Sequence, residues 1–181
     1  NKGVHLVNRK IKLNYLTKKD IEAIKIGKKL KIKNYALSFT NSVKDIIQFN
    51  KLLKKENKIF KIETKNAIKS FKEILKQGDQ FLIDRGDLSK DVNIENIPLI
   101  QRNLFALKKK YSKKKIFVAT NLLESMLEHN YPTRGEANDI FSSLEMGASG
   151  LVLAAETAVG KYPQDTVEFL QKMITVFKRS N

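Results

Sequence analysis

Residues 59–88 read IFKIETKNAIKSFKEILKQGDQFLIDRGDL. Two near-continuous apolar runs, 59–63 and 81–84, flank a segment in which Ala67, Ile68, Phe71, Ile74 and Leu75 recur at helical spacing and Gly78 closes the helix. A short run that is apolar throughout, rather than at every second residue, suits a parallel strand covered on both faces. Strand, helix and strand in one stretch make a βαβ unit, and therefore a parallel sheet.

The pattern continues outward in both directions. Further apolar runs stand at 35–39 (YALSF), 116–120 (IFVAT) and 151–155 (LVLAA). Thr17 with Asp20 opens a helix through about Leu30, and Ser42 with Asp45 opens another that buries Ile46, Ile47, Leu52 and Leu53. Helices are also expected over 98–111, 135–146 and 164–178, the last with Val167, Leu170, Ile174 and Phe177 facing inward. The fold class is α/β. A doubly wound open sheet and a (β/α)8 TIM barrel both fit, and five strands are too few to close a standard barrel. No G-x-G-x-x-G or G-x-x-x-x-G-K-[ST] loop follows any strand, which argues against a dinucleotide fold or a P-loop NTPase.

Composition narrows the chemistry. The 181 residues contain no cysteine, which excludes disulfides, Cys-based zinc sites and thiol nucleophiles. The two histidines, His5 and His129, are too far apart in sequence to suggest a multi-histidine metal site. A hydrophobic fraction of 41% supports a real core. No apolar run approaches the ~18 residues of a membrane span, and no signal-peptide pattern opens the sequence, so a soluble, cytoplasmic protein is expected. The net charge of +16 comes from lysine, with only five arginines among 35 basic residues. Scattered lysines suit solvated faces and an anionic small substrate better than nucleic acid, whose recognition favours the arginine fork.

Polar residues gather where the strands end. Ser38 closes the first run, Lys61 and Glu63 the second, and Asp84, Arg85 and Asp87 follow the third. Thr120 ends the fourth, and Glu156 and Thr157 follow the fifth. In a parallel α/β fold these ends share one face, where active sites are built. Each group also has an ordinary reading: Lys61 and Glu63 as a local ion pair, Arg85-Gly86-Asp87 as a turn, Thr120 as a helix N-cap. Together they suit an anionic substrate held by a divalent cation. Glu63 and Asp87 are hard carboxylate ligands for Mg²⁺ or Mn²⁺. Lys61 is a compact charge able to neutralise a phosphoryl group. The backbone N–H groups of the Arg85–Asp87 turn suit a carboxylate, Gly86 permits its close approach, and the Thr120 hydroxyl can orient a proton.

Several motifs resemble, in order and spacing, the barrel of the pyruvate kinase family. They are KGV at 2–4, SFTNSVKDI at 38–46, KIE at 61–63, RGDL at 85–88, ATNLLESM at 119–126, PTRGEANDI at 132–140 and ETAVGKYP at 156–163. The resemblance implies a (β/α)8 barrel in which Lys61 is the cationic catalytic residue and Glu63 and Asp87 hold Mg²⁺ or Mn²⁺. It implies that N–H groups at Arg85, Gly86 and Asp87 bind the phosphoenolpyruvate carboxylate, and that Thr120 lies by the methylene carbon that is protonated. ADP/ATP as co-substrate and K⁺ as a further ion are implied likewise.

The departures from the family pattern are specific. Asp84 replaces the usual alanine before RGD, where a further carboxylate repels substrate unless it is paired or turned away. Thr64, Ala67, Ser89, Asn121, Asn41 and the pair Ala154-Ala155 also differ from the usual residues. By the resemblance, 1–181 is a partial barrel of about five βα units, beginning after the family's inserted lid domain and ending before its C-terminal regulatory domain. Completion by a separate N-terminal barrel segment or partner chain is expected first, and a homo-oligomer second. Three readings follow. The chain serves a pyruvate-kinase-like phosphotransferase, a barrel using phosphoenolpyruvate or pyruvate in another reaction, or a non-catalytic binding subunit.

Overall fold

The computed structural model describes residues 15–180, so the KGV segment, His5 and Arg9 lie outside the described residues. One parallel sheet contains β1 (Asn34–Leu37), β2 (Asn57–Ile62), β3 (Gln80–Asp84), β4 (Lys115–Ala119) and β5 (Gly150–Val152). Its spatial order, β1-β2-β3-β4-β5, is the order of the sequence. That order decides between the two architectures the sequence allows. A doubly wound sheet reverses direction at a switch point. Here every crossover advances one strand the same way, and right-handed crossovers then stack their helices on one face. The result is the wall of a (β/α) barrel, left as an open arc by the described strands.

The helices in chain order are α1 (Lys18–Lys29), α2 (Val43–Leu52), α3 (Lys65–Lys69), α4 (Phe71–Gln77), α5 (Arg85–Leu88), α6 (Ile97–Lys108), α7 (Arg134–Glu145), α8 (Ala155–Ala158) and α9 (Pro163–Arg179). Capping boxes at Thr17/Asp20 and Ser42/Asp45 start α1 and α2 as the sequence predicts, and Thr133/Glu136 starts α7 in the same way. The main core lies between sheet and helices. Phe60 and Phe81 from the sheet meet Phe49 of α2 and Phe71 of α4, with ring centroids 5.7–6.2 Å apart along the chain of contacts. The opposite face carries Lys61, Leu82, Phe117 and Gly150 in one register row. These alternate with the fully buried Phe60, Ile62, Phe81, Ile83, Ile116 and Val118.

Some boundaries differ from the sequence expectation for local reasons. β1 stops at Leu37 and β4 at Ala119 because Phe39 (φ 50°), Thr120 (φ 69°) and Asn121 (φ 52°) are left-handed, which no strand accommodates. The single helix expected after β2 is broken at Ser70 into α3 and α4. Ile47 and Val167 are 40% and 39% exposed rather than inward, and Thr166 joins Leu170 on the buried side of α9. Among the described residues no helix is long and apolar enough to cross a membrane.

Candidate functional site

β2 ends one residue before Glu63, and strand alternation turns Lys61 and Glu63 to the same face. β3 ends in Asp84, whose side chain caps the short α5 by accepting from the Asp87 amide at 3.3 Å. The adjacent ends of β2 and β3 therefore bring four charged side chains together. The Lys61 ammonium lies 2.5 Å from Glu63 Oε1 and 3.0 Å from Asp84 Oδ2. Glu63, Asp84 and Asp87 each offer a carboxylate oxygen within 4.8 Å of the other two. Asp87 is also paired with Lys90 at 2.6 Å, an exposed contact on the rim. Three carboxylates thus face two ammonium groups, which leaves a local excess of negative charge.

Burial sets the electrostatics. Glu63 is 1% exposed, with Oε2 accepting from the Phe39 amide at 2.5 Å. Its Oε1 meets Lys61 as an ion pair but has no donor aligned for a hydrogen bond. Burial raises the Glu63 pKa, and the neighbouring Asp84 adds to it, beyond what Lys61 and the Phe39 amide restore. For Asp84 burial again acts upward, but Lys61, the Asp87 amide and the Thr120 hydroxyl outweigh it and hold the carboxyl below its ordinary value. Burial disfavours the Lys61 ammonium, yet Glu63 and Asp84 overcome this and keep its pKa above that of a free lysine. Lys61 is accordingly a fixed positive charge.

Thr120 closes the site from β4. Its left-handed backbone carries the hydroxyl toward α5, where it accepts from the Gly86 amide at 2.7 Å. It donates to the Ala119 carbonyl at 2.6 Å and lies 3.3 Å from Asp84 Oδ1. Thr120 is thus a strained site residue and not a helix cap, and strain of this kind persists where the surroundings impose it. A Cβ at Gly86 would meet Thr120 Oγ1 at 3.3 Å, a tight contact with the hydroxyl that accepts the Gly86 amide. The Arg85 guanidinium holds the turn from the other side. It donates to the carbonyls of Thr120 (2.7 and 3.2 Å) and Asn121 (3.1 Å), and pairs with Asp139 of α7 at 2.5 Å. Its side chain is a positioning fork, and in the same turn the Gly86 and Asp87 amides donate to Thr120 Oγ1 and Asp84 Oδ1.

Not every polar strand end converges. Ser38 is exposed in the turn after β1. Glu156 is buried and accepts from the amides of Leu123 (3.2 Å) and Ala154 (2.8 Å), joining the end of β5 to the loop after β4. A cavity of about 160 Å³ beside Thr120 is lined by Asn121, Glu124, Leu127, Ala154 and Ala155 among others. Sequence reading placed Asp84 among the polar strand ends and marked it as a departure, but missed its ion pair with Lys61. It also missed the Phe39 amide and Asp139. Asp139 sits 54 residues from the arginine it pairs with, a separation that leaves no local signal.

A family description, "Pyruvate kinase, barrel domain", matches residues 1–167. The chain belongs to the pyruvate kinase family. It is similar to the pyruvate kinase of Thermotoga maritima, at 38% identity over 176 residues, covering 95% of this chain and 38% of that protein. Against the pyruvate kinase of Methanocaldococcus jannaschii the identity is 34% over 178 residues, covering 96% of this chain and 40% of the relative. For that of Mycobacterium tuberculosis it is 31% over 185 residues, covering 100% and 39%. The chain thus spans about two fifths of the length of the pyruvate kinases it resembles.

The donor set fits a hard divalent cation. Three carboxylates converge with excess negative charge, and one of them presents a buried oxygen without an aligned hydrogen-bond donor. Oxygen-rich sites of this kind take Mg²⁺ or Mn²⁺ in preference to softer ions.

Proposed function

We propose that this chain supplies the catalytic half of a pyruvate-kinase-type site, transferring the phosphoryl group of phosphoenolpyruvate to ADP to give pyruvate and ATP. The convergence of Lys61, Glu63 and Asp87 at neighbouring strand ends carries this reading. Phosphoryl transfer demands positioning and charge neutralisation rather than covalent catalysis by a side chain. Glu63 and Asp87 hold Mg²⁺ or Mn²⁺, which when bound supplies Lewis-acid neutralisation of substrate oxygens. Lys61, kept protonated by its carboxylate neighbours, neutralises charge on the phosphoryl oxygens in flight. The substrate carboxylate lies against the Arg85–Asp87 turn and takes the Asp87 amide from Asp84, while Gly86 admits it and keeps its own amide on Thr120. Thr120, fixed by the Gly86 amide and the Ala119 carbonyl, orients the proton that reaches the enolate methylene. K⁺ accompanies the divalent ion in this proposal, with no described residue assigned to it.

The edges of β1 and β5 require cover in a working barrel, because an open edge and a half-exposed inner face invite pairing. Further barrel strands, from the same protein or from a partner chain, provide it in this reading, and self-pairing of two copies is the alternative. The test is pyruvate formation from phosphoenolpyruvate and ADP by the complete protein, followed through lactate dehydrogenase. Metal-dependent turnover that falls about a hundredfold to a thousandfold in Lys61→Met is expected, on the scale of losing a main electrostatic stabiliser. Turnover equal in the two proteins refutes the proposal.

The pairing of Asp84 with Lys61 favours one second reading, a barrel that enolises pyruvate or uses phosphoenolpyruvate with another acceptor. Exchange of pyruvate methyl protons with deuterated water, without ADP-dependent transfer, would select it.

A further inference from the structure

We infer that Asp84 is a built-in competitor for the substrate anion, a specificity-determining residue that occupies Lys61 until an anionic substrate displaces it. The inference rests on the functional reading above and extends it to a residue which that reading leaves without a role. Asp84 Oδ2 lies 3.0 Å from the Lys61 ammonium, while Oδ1 meets the Asp87 amide and the Thr120 hydroxyl, each at 3.3 Å. One carboxylate therefore contacts three of the groups assigned to substrate. The contacts are the ones an incoming anion must take over: a cation, a backbone donor and a hydroxyl. Asp84 is buried, so water does little to screen its charge from a ligand alongside.

Two consequences follow from the geometry. Binding of a dianion next to Asp84 is opposed by like charge, and Lys61 must be shared or released. Second, Asp84 gives Lys61 a partner that is independent of Glu63, so two carboxylates hold the ammonium in place. The site is preorganised at the expense of affinity. A divalent cation held by the neighbouring carboxylates offsets only part of this repulsion, so the effect of Asp84 persists with metal bound. A capping role alone explains just the Asp87 amide contact, and leaves those to Lys61 and Thr120 without a purpose.

The substitution that separates these roles is Asp84→Asn. Asparagine caps a helix as well as aspartate does and has nearly the same shape, but it carries no charge. Asp84→Ala removes both cap and charge. Oxalate, a planar dianion resembling the pyruvate enolate, is titrated calorimetrically into the complete protein with saturating Mn²⁺, and thermal melts confirm that each variant is folded. The inference expects oxalate to bind at least tenfold tighter to Asp84→Asn than to the unsubstituted protein, and tighter also to a folded Asp84→Ala. Unchanged or weaker oxalate binding in Asp84→Asn overturns it, whether because Asp84 is only a cap or because it ligates the metal. Glu63→Gln separates the two levels of argument. If it abolishes Mn²⁺-dependent oxalate binding while Asp84→Asn has no effect, the functional reading stands and the inference falls. If no variant, nor the unsubstituted protein, binds oxalate, both fall.

Discussion

Replacing Glu63 by glutamine distinguishes a functional carboxylate from a structural ion-pair partner. In the metal-free protein the substitution removes one attraction, to Lys61 at 2.5 Å, and two repulsions, from Asp84 and Asp87 within 4.8 Å. At an effective dielectric constant of about 20, the lost attraction is about 6.6 kcal/mol and the two relieved repulsions are about 3.5 kcal/mol each. Since 4.8 Å is the longest of these separations, the relieved repulsions at least offset the lost attraction. Burial then decides the sign, because a carboxylate held 1% exposed loses more hydration than an amide does. The raised pKa of Glu63 agrees, since the fold disfavours its ionised form. Lys61 keeps Asp84 as a partner, and the single glutamine oxygen can keep the Phe39 amide only by turning its NH2 toward the Lys61 ammonium, which subtracts from the gain. The expectation is a melting temperature in EDTA that is equal or higher, by about 2–4 °C if the gain is about 1 kcal/mol. With Mg²⁺ or Mn²⁺ at about 100 times its Kd, the unsubstituted protein gains about 2.7 kcal/mol, or roughly 5–10 °C, and Glu63→Gln gains little. Paired thermal melts with and without metal supply the data. A variant that melts several degrees lower in EDTA, or that retains the full metal-induced shift, refutes the reasoning.

Further expectations concern the groups around the site. In metal-free protein the raised Glu63 pKa means that this group's own contribution to stability is fully present below the ordinary glutamate range and declines as pH rises through the folded-state pKa. Denaturant titrations across pH should show the stability of the unsubstituted protein falling relative to that of Glu63→Gln as pH rises through this range. Arg85→Lys loses the fork to Thr120, Asn121 and Asp139, with an expected cost of about 1–3 kcal/mol in urea unfolding and a larger loss of kcat than of substrate affinity. Glu136 accepts from the amide and hydroxyl of both Ser125 and Thr133. Burial pushes its pKa up, but these four donors outweigh it and hold the carboxyl low, so its contribution exists above the unfolded-state pKa and is lost as pH falls through the folded one. Glu136→Gln should therefore destabilise the protein at neutral pH by about 1–2 kcal/mol and converge with it in acid, as read by melts at both pH values.

The wall of the barrel was legible in the sequence because its strands are covered on one face by helices and line an interior on the other, so their apolar runs are continuous. Strand order was not legible, since the same runs serve a doubly wound sheet; only the pairing of consecutive strands in one direction separates them. Within the site, Lys61, Glu63, Asp87 and Thr120 could be named because they stand at the ends of such runs. Their mutual arrangement was less accessible. The left-handed backbones of Phe39, Thr120 and Asn121 lack the glycine that usually marks that conformation, and tertiary contacts such as the Arg85 fork impose them. Asp84 was visible as an unusual residue, but its effect depends on an ion pair across two strands, which composition and spacing do not encode.

Phosphoryl transfer itself can be followed directly. Phosphoenolpyruvate carrying a labelled phosphoryl group is incubated with the complete protein, ADP and Mg²⁺, and the nucleotides are separated. Label is predicted in the terminal phosphate of ATP, lost when Mg²⁺ is chelated and lost again in Glu63→Gln and Lys61→Met. Label that never reaches ATP, or that reaches it equally in Lys61→Met, contradicts a cation-centred phosphoryl-transfer site at the ends of β2 and β3.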